Sequence, residues 1–190
     1  MKAAAPSLSV RLAAVERQFV DLWGTMSSLW GINPTMARIH GLLYITGEAL
    51  TMDDVMERLD ISRGNVSMNL TKLVEWGLVQ RVRRPTRSRG YPDRRDGYVS
   101  VNEVWEMFTR VAAQRKRREI DPVLSTLRKC REELSAESLG PAAAKPAAAE
   151  RYRRVDDLLQ FLQLMDHLSQ QFLASHKDLR AAVEILTAKD

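Results

Sequence analysis

Along most of this chain the apolar residues return at steps of three and four, the period of an amphipathic helix; only two short stretches switch to alternation. Leu8, Leu12, Val15, Phe19, Leu22 and Trp23 mark a first helix over 8–30, with Gly31 as its stop. Asn33-Pro34 reads as an N-cap followed by proline at the first helical position. The helix it opens, 34–46, buries Met36, Ile39 and Leu43, with Tyr44 as a further candidate, and Gly47 ends it. Thr51 caps the next helix, with Asp54 three residues on in the manner of a capping box, and Met52, Val55, Met56 and Leu59 form its stripe. Ser62 is the N-cap of a further helix, Ile61 and Val66 are placed to staple across it, and Gly77 suits its left-handed C′ position. Only Asp60 and Ile61 separate these two helices, a connection tight enough for a helix-turn-helix.

The alternating stretches follow. LVQRV (78–82) and GYVSVN (97–102) read as two strands, joined by RRPTRSRGYPDRRD into a β-hairpin with a long arginine-rich tip. From Val104 the helical period resumes through Trp105, Phe108, Val111 and Ala112, passes the charged run QRKRRE, and continues with Ile120, Val123, Leu124 and Leu127. Pro122 kinks or interrupts this segment. The alanine- and proline-rich stretch 135–149 reads as a linker or loop. A last long helix packs Val155, Leu158, Leu159, Leu162, Met165, Leu168 and Phe172 onto one wide face, and a short helix over 177–188 closes the chain.

The fold class expected is mainly α: a winged helix-turn-helix with a two-stranded β-wing, flanked by N- and C-terminal dimerisation helices. The organisation expected is an N-terminal helix in 1–31, the winged helix-turn-helix in 32–103, and C-terminal helices with their linker in 104–190. Dimerisation is expected because the first helix and the very apolar 155–173 helix carry more apolar surface than a small winged helix can cover.

Charge sharpens this picture. The chain is 190 residues long with a net charge of +5, and 45% of it is hydrophobic. Between Arg81 and Asp96 stand seven arginines and two aspartates, so this one stretch accounts for the whole +5. A basic patch concentrated on an otherwise neutral chain points to a polyanion. The single cysteine, Cys130, excludes an intrachain disulfide and a cysteine-based zinc site, and fits a reducing cytoplasm. No apolar run reaches membrane-spanning length and no leader pattern opens the chain, so a cytoplasmic protein without a membrane partner is expected.

The stretch ISRGNVSMNLTKLVEWG (61–77) carries the candidate chemistry. A structural helix needs the apolar Val66, Leu70, Leu73 and Val74, but it does not need the small hydrogen-bonding groups between them. A helix that enters a major groove does need them. Arg63 can pair with guanine, Asn65 and Asn69 with adenine, Ser67 with either, and Met68 can touch a thymine methyl. Gly64 lets a backbone approach closely beside Ser62 at the helix N-terminus, whose free N–H groups suit a phosphate. Lys72, one turn on, is placed for the DNA backbone. On the hairpin, Arg83, Arg84, Arg87, Arg89, Asp93, Arg94 and Arg95 are the wing candidates. A polar outer helix face and a solvated arginine loop each have a plain structural explanation; the two together, in the order of a winged helix, point to duplex DNA.

The run GINPTMARIHGLLYITGEALTMDDVMERLDISRGNVSMNLTKLVEWGLVQRV, with DRRDGYV after it, resembles the GbsR-type branch of the MarR transcriptional regulators. ISRGNVSMNL, LVEWGLV, DRRD and RREI are its most specific pieces, and the likeness covers about residues 15–135. The resemblance implies a homodimeric winged-helix regulator, acting as a repressor, on a pseudo-palindromic double-stranded DNA operator, with its first and last helices interlocked. It implies that Asp93 holds Arg94 or Arg95 toward the minor groove. It also implies a small-molecule effector, for some members choline-like, for which Trp23, Trp30, Tyr44 and Trp105 are either an aromatic cage or simply core. The long wing tip and the stretch 139–149 depart from the family outline.

No catalytic motif, cofactor-binding loop or metal-ligand spacing is present; His40, His167 and His176 stand far apart, so no enzyme, cofactor or metal is expected. His40 is expected to be a packed or capping side chain. The arginine run would equally serve a non-sequence-specific nucleic-acid-binding or architectural protein. Cys130 lies among Arg128, Lys129 and Arg131, which would favour a thiolate, or it is a partly buried helical residue.

Overall fold

The structure is a computed structural model and describes residues 7–83 and 96–175. The chain divides into two compact units, Met1–Arg110 and Val111–Asp190.

The first unit begins with α1 (Leu8–Leu29) and α2 (Pro34–Thr46). Asn33 caps α2 by accepting from Met36 N at 3.0 Å, and Gly47 ends it at φ 63°, where a side chain would be strained. α3 (Met52–Leu59) starts with a closed capping box: Thr51 Oγ1 accepts from Asp54 N, and Asp54 accepts from Thr51 N. Asp60 takes the left-handed conformation at φ 52°, which turns the chain sharply into α4 (Arg63–Glu75). Ser62 caps α4 by accepting from Asn65 N, and Gly77 lies at φ 72° just past its end.

The wing strands are β2 (Val79–Arg83) and β3 (Asp96–Ser100), antiparallel with Val79 opposite Ser100 and Arg83 opposite Asp96. The wing is two-stranded as expected, and a third short strand outside it extends the sheet. β1 (Leu50–Thr51) pairs with β3, Leu50 opposite Tyr98, giving the order β1-β3-β2. A two-residue strand has no period to read, so the sequence pattern conceals it. The core beneath this sheet and the helices consists of Ile39, Leu42, Leu43, Leu50, Val55, Val66, Leu70, Leu73 and Val79, all nearly or fully buried.

α1 buries one narrow face and leaves a second apolar face open. Its buried residues are Val20, Gly24 and Ser27, whereas Leu8, Leu12, Val15 and Leu22 lie open. Gly24 is required at the α2 crossing, since a Cβ there would stand 2.7 Å from the Arg38 side chain. The open residues recur, with Phe19, Met26 and Leu29, at alternating steps of four and three, the seam of a coiled coil.

α5 (Val104–Arg115) passes from the first unit into the second. A π turn, Lys116–Ile120, separates it from α6 (Asp121–Glu133), so the interruption expected near Pro122 falls just ahead of the proline. The stretch 135–149 is not a loop. It forms α7 (Ala136–Leu139), a 3-10 segment (Gly140–Ala144) and the start of α8 (Pro146–Ala174), because alanine favours helix and each proline occupies an initial position that needs no amide donor. α6 packs on α8, with Leu124 and Leu159 buried. Arg131 meets Asp156 at 3.3 Å, and Lys116 links Asp121 at 2.5 Å with Asp166 at 3.1 Å. The helix expected over 177–188 lies outside the described residues. No helix among the described residues is long and apolar enough to cross a membrane.

Candidate nucleic-acid interface

α4 has two chemically distinct sides. Val66, Leu70 and Leu73 are buried in the core, while Ser62, Arg63, Gly64, Ser67, Met68 and Lys72 are exposed. Nothing lies within 4 Å of a Cβ built at Gly64, so the backbone at the start of α4 is open to close approach. Arg63 pairs with Asp53 of α3 at 3.1 Å, but the pair is solvent-exposed and hence weak. Val74, expected in the core, is 40% exposed: it follows Leu73 by one residue, and the 3.6-residue period turns it outward.

Asn69 also differs from its expected place among the outward base-reading groups: it is 1% exposed. The helical period explains the difference, because position 69 lies three residues from Val66 and four from Leu73 on the inner side. As it stands, Asn69 faces Asn65 rather than a duplex: its Nδ2 donates to the Asn65 main-chain oxygen at 2.8 Å and to Asn65 Oδ1 at 3.2 Å. Asn65 is half-buried at the boundary between the two sides.

At the base of the wing Arg81 is anchored. Its guanidinium lies over the Tyr98 ring, 5.8 Å from the centroid, donates to Tyr98 Oη at 3.4 Å and meets Asp96 at 3.3 Å. Arg83 is exposed at the end of β2. Arg84, Arg87, Arg89, Asp93, Arg94 and Arg95 lie outside the described residues.

A chain of hydrogen bonds joins α1, α2 and β3 through Trp23, His40 and Ser100, a connection the sequence did not show although it singled out Trp23 and His40 separately. Trp23 of α1 donates from Nε1 to His40 Nδ1 at 3.2 Å, and His40 Nε2 meets Ser100 Oγ of β3 at 3.2 Å. Ser100 Oγ donates to the Val101 carbonyl at 2.9 Å. Because Nδ1 accepts and Ser100 spends its proton on Val101, Nε2 must carry the imidazole hydrogen, which selects one neutral tautomer. Burial disfavours the charged ring and pushes the His40 pKa down to about 4. His40 is therefore a packed side chain, as expected, with both nitrogens satisfied.

Of the four aromatic effector candidates the structure unites two. Trp23 and Tyr44 lie nearly parallel, 8° apart, with Phe19 stacked beside both. That is an offset stack rather than a box of faces around a cation. Trp30 caps the end of α1, and Trp105 packs edge-on against Phe108. Cys130 is half-buried on α6. Among the described residues no group of three or more His, Cys, Asp or Glu side chains could hold a metal ion.

Comparison with known proteins agrees with this geometry. No curated protein matches the chain. A solved structure described as that of a transcriptional regulator matches 86% of this chain and 98% of its own, with a TM-score of 0.51 and 20% identity, a likeness of fold. Residues 30–90, which contain α2, α3, α4 and β2, match the sequence model of the MarR family. Residues 30–90 are thus similar to the MarR family, in the part of the chain that holds the helix-turn-helix and the first wing strand.

Proposed function

We propose that this protein is a dimeric, sequence-specific, double-stranded-DNA-binding transcription regulator of the GbsR-type branch, with α4 as its recognition helix and the arginine-rich hairpin as its wing. One observation carries the reading: in a winged helix-turn-helix, the side of α4 turned from the core bears Ser62, Arg63, Ser67, Met68 and Lys72, all exposed. Those groups supply the donors, acceptors and apolar contact that base edges and phosphates require. The seven arginines between Arg81 and Asp96 supply the charge. The open heptad seam of α1 supports a homodimer, since an apolar stripe of that length is unusual on a monomer. A repressor, which blocks transcription by occupying its operator, and control by a small molecule complete the proposal.

Selection of bound duplexes from a random library by the full-length protein tests the core of this reading. The expected result is one pseudo-palindromic sequence with half-site centres about one helical turn, or a multiple of it, apart. Tight binding without any preferred sequence would instead mark an architectural protein that reads only the phosphate backbone.

A further inference from the structure

The amide of Asn69 is left unexplained by that reading. Asparagine is a poor residue for a helix interior, and a buried polar group is costly unless all its hydrogen bonds are made. Asn69 is 1% exposed, and among the described residues its Oδ1 has no partner. Leucine would fill the same place without that cost.

The other end of the amide is fully used. Nδ2 donates to the Asn65 carbonyl oxygen at 2.8 Å and to Asn65 Oδ1 at 3.2 Å. Chemistry dictates which atom is which. A main-chain carbonyl only accepts, so the end of Asn69 that meets it must be the NH2. The second hydrogen of that NH2 also needs an acceptor, so the end of Asn65 facing it must be the carbonyl. Asn65 is therefore turned with its own NH2 away from Asn69, and no described residue accepts from that NH2. The two residues are one helical turn apart, the spacing at which side chains on a helix meet.

We propose that Asn69 is a positioning residue for base reading: from within the core it locks the Asn65 amide so that α4 offers an NH2 donor, and not a carbonyl acceptor, to the major groove. Asn65 then selects a base that presents an acceptor at that point, such as a purine N7, guanine O6 or thymine O4, and rejects the cytosine amino group. A freely turning Asn65 would serve donors and acceptors alike. The inference rests on α4 being the recognition helix, and it replaces the direct adenine contact expected of Asn69.

The test uses the full-length protein and random duplexes. Asn65→Ala identifies the base pair that Asn65 reads. Asn69→Leu is then expected to lose about tenfold discrimination at that same pair, with preference elsewhere intact and a Tm unchanged or raised. The double variant Asn65→Ala/Asn69→Leu is expected to lose no more than Asn65→Ala alone. If Asn69→Leu keeps the wild-type preference at that pair, or weakens all duplexes evenly, the positioning role is overturned, while the shift caused by Asn65→Ala leaves the recognition helix standing. If the wild-type protein prefers no sequence, the functional reading falls and the positioning role with it. Should Asn69→Leu fail to fold, side-chain amide exchange in the unaltered protein decides. Slow exchange at Asn69 Nδ2 with fast exchange at Asn65 Nδ2 is expected; the reverse overturns the proposal.

Discussion

α4 and α8 are both amphipathic helices with a clear apolar stripe, yet the fold treats them in opposite ways. In α4 the stripe of Val66, Leu70 and Leu73 is fully buried, and what remains outside is chiefly polar. In α8 only Leu159 is buried, whereas Leu158, Phe161, Met165, Leu168 and Phe172 remain 40–57% exposed. Those five recur at alternating steps of three and four, separate from the inner line of Val155, Leu159 and Leu162. α1 repeats the arrangement, with an inner face at Val20, Gly24 and Ser27 and an outer seam from Leu8 to Leu29. A helix with one stripe is completed by its own chain. A helix with two stripes has one left over, and in water that surplus favours association.

The sharpest way to break the comparison is to remove the surplus. Replacing Leu158, Phe161 and Leu168 together by serine takes away three side chains about half exposed. At roughly 1 kcal/mol for each, and with each counted twice across a two-fold interface, association should weaken by roughly 6 kcal/mol. Sedimentation at micromolar concentration should show a dimer before and a folded monomer after. A wild-type monomer, or an unchanged dimer in the variant, would mean that the outer stripe of α8 has no such partner.

Leu70→Ala tests the opposite helix. Leu70 is 1% exposed, so the cavity should cost about 2–5 kcal/mol of stability, read as a lower denaturation midpoint. DNA binding should be lost only as far as the fold is lost.

His40 gives an effect of about 3 kcal/mol that depends on pH. Its folded pKa of about 4 lies below the ordinary 6.5, so between those values the unfolded chain binds a proton that the native protein does not. Stability should therefore be complete above pH 6.5 and fall as the pH drops from 6.5 toward 4. Denaturation midpoints measured across that range should show this slope, and His40→Gln should flatten it. An equally steep slope in the variant would place the titration elsewhere.

The smallest effect is the most selective. Asn65→Ala should change stability little but reduce discrimination at one base pair per half-site by about 1–3 kcal/mol. A double variant of Asn65 and Ser67 whose selected sequence equals that of the wild type would reduce the polar side of α4 to a wet surface.

Much of the first unit could be read locally. The caps at Asn33, Thr51 with Asp54, and Ser62, and the left-handed glycines at 47 and 77, are chosen by hydrogen bonds and backbone angles within a few residues. Sequence shows such signals directly. The two wing strands were legible for the same reason, to within two residues at each end. Asn69 shows where this kind of reading stops: its spacing from Val66 and Leu73 placed it inward, but its amide suggested an outward reader. Only the packed core decided between period and chemistry, because burial depends on what the neighbouring helices cover.

The same division holds for the rest of the chain. Sequence by itself determined the helical period, the helix-turn-helix spacing, the caps and the concentration of arginine, since each depends on near neighbours or on composition. Tertiary structure alone decided that Leu50–Thr51 completes the sheet, that His40 joins Trp23 to Ser100, and which of two apolar stripes on α1 and α8 turns inward. These outcomes depend on surfaces brought together from distant parts of the chain, and no local pattern of residues encodes which surface will meet which.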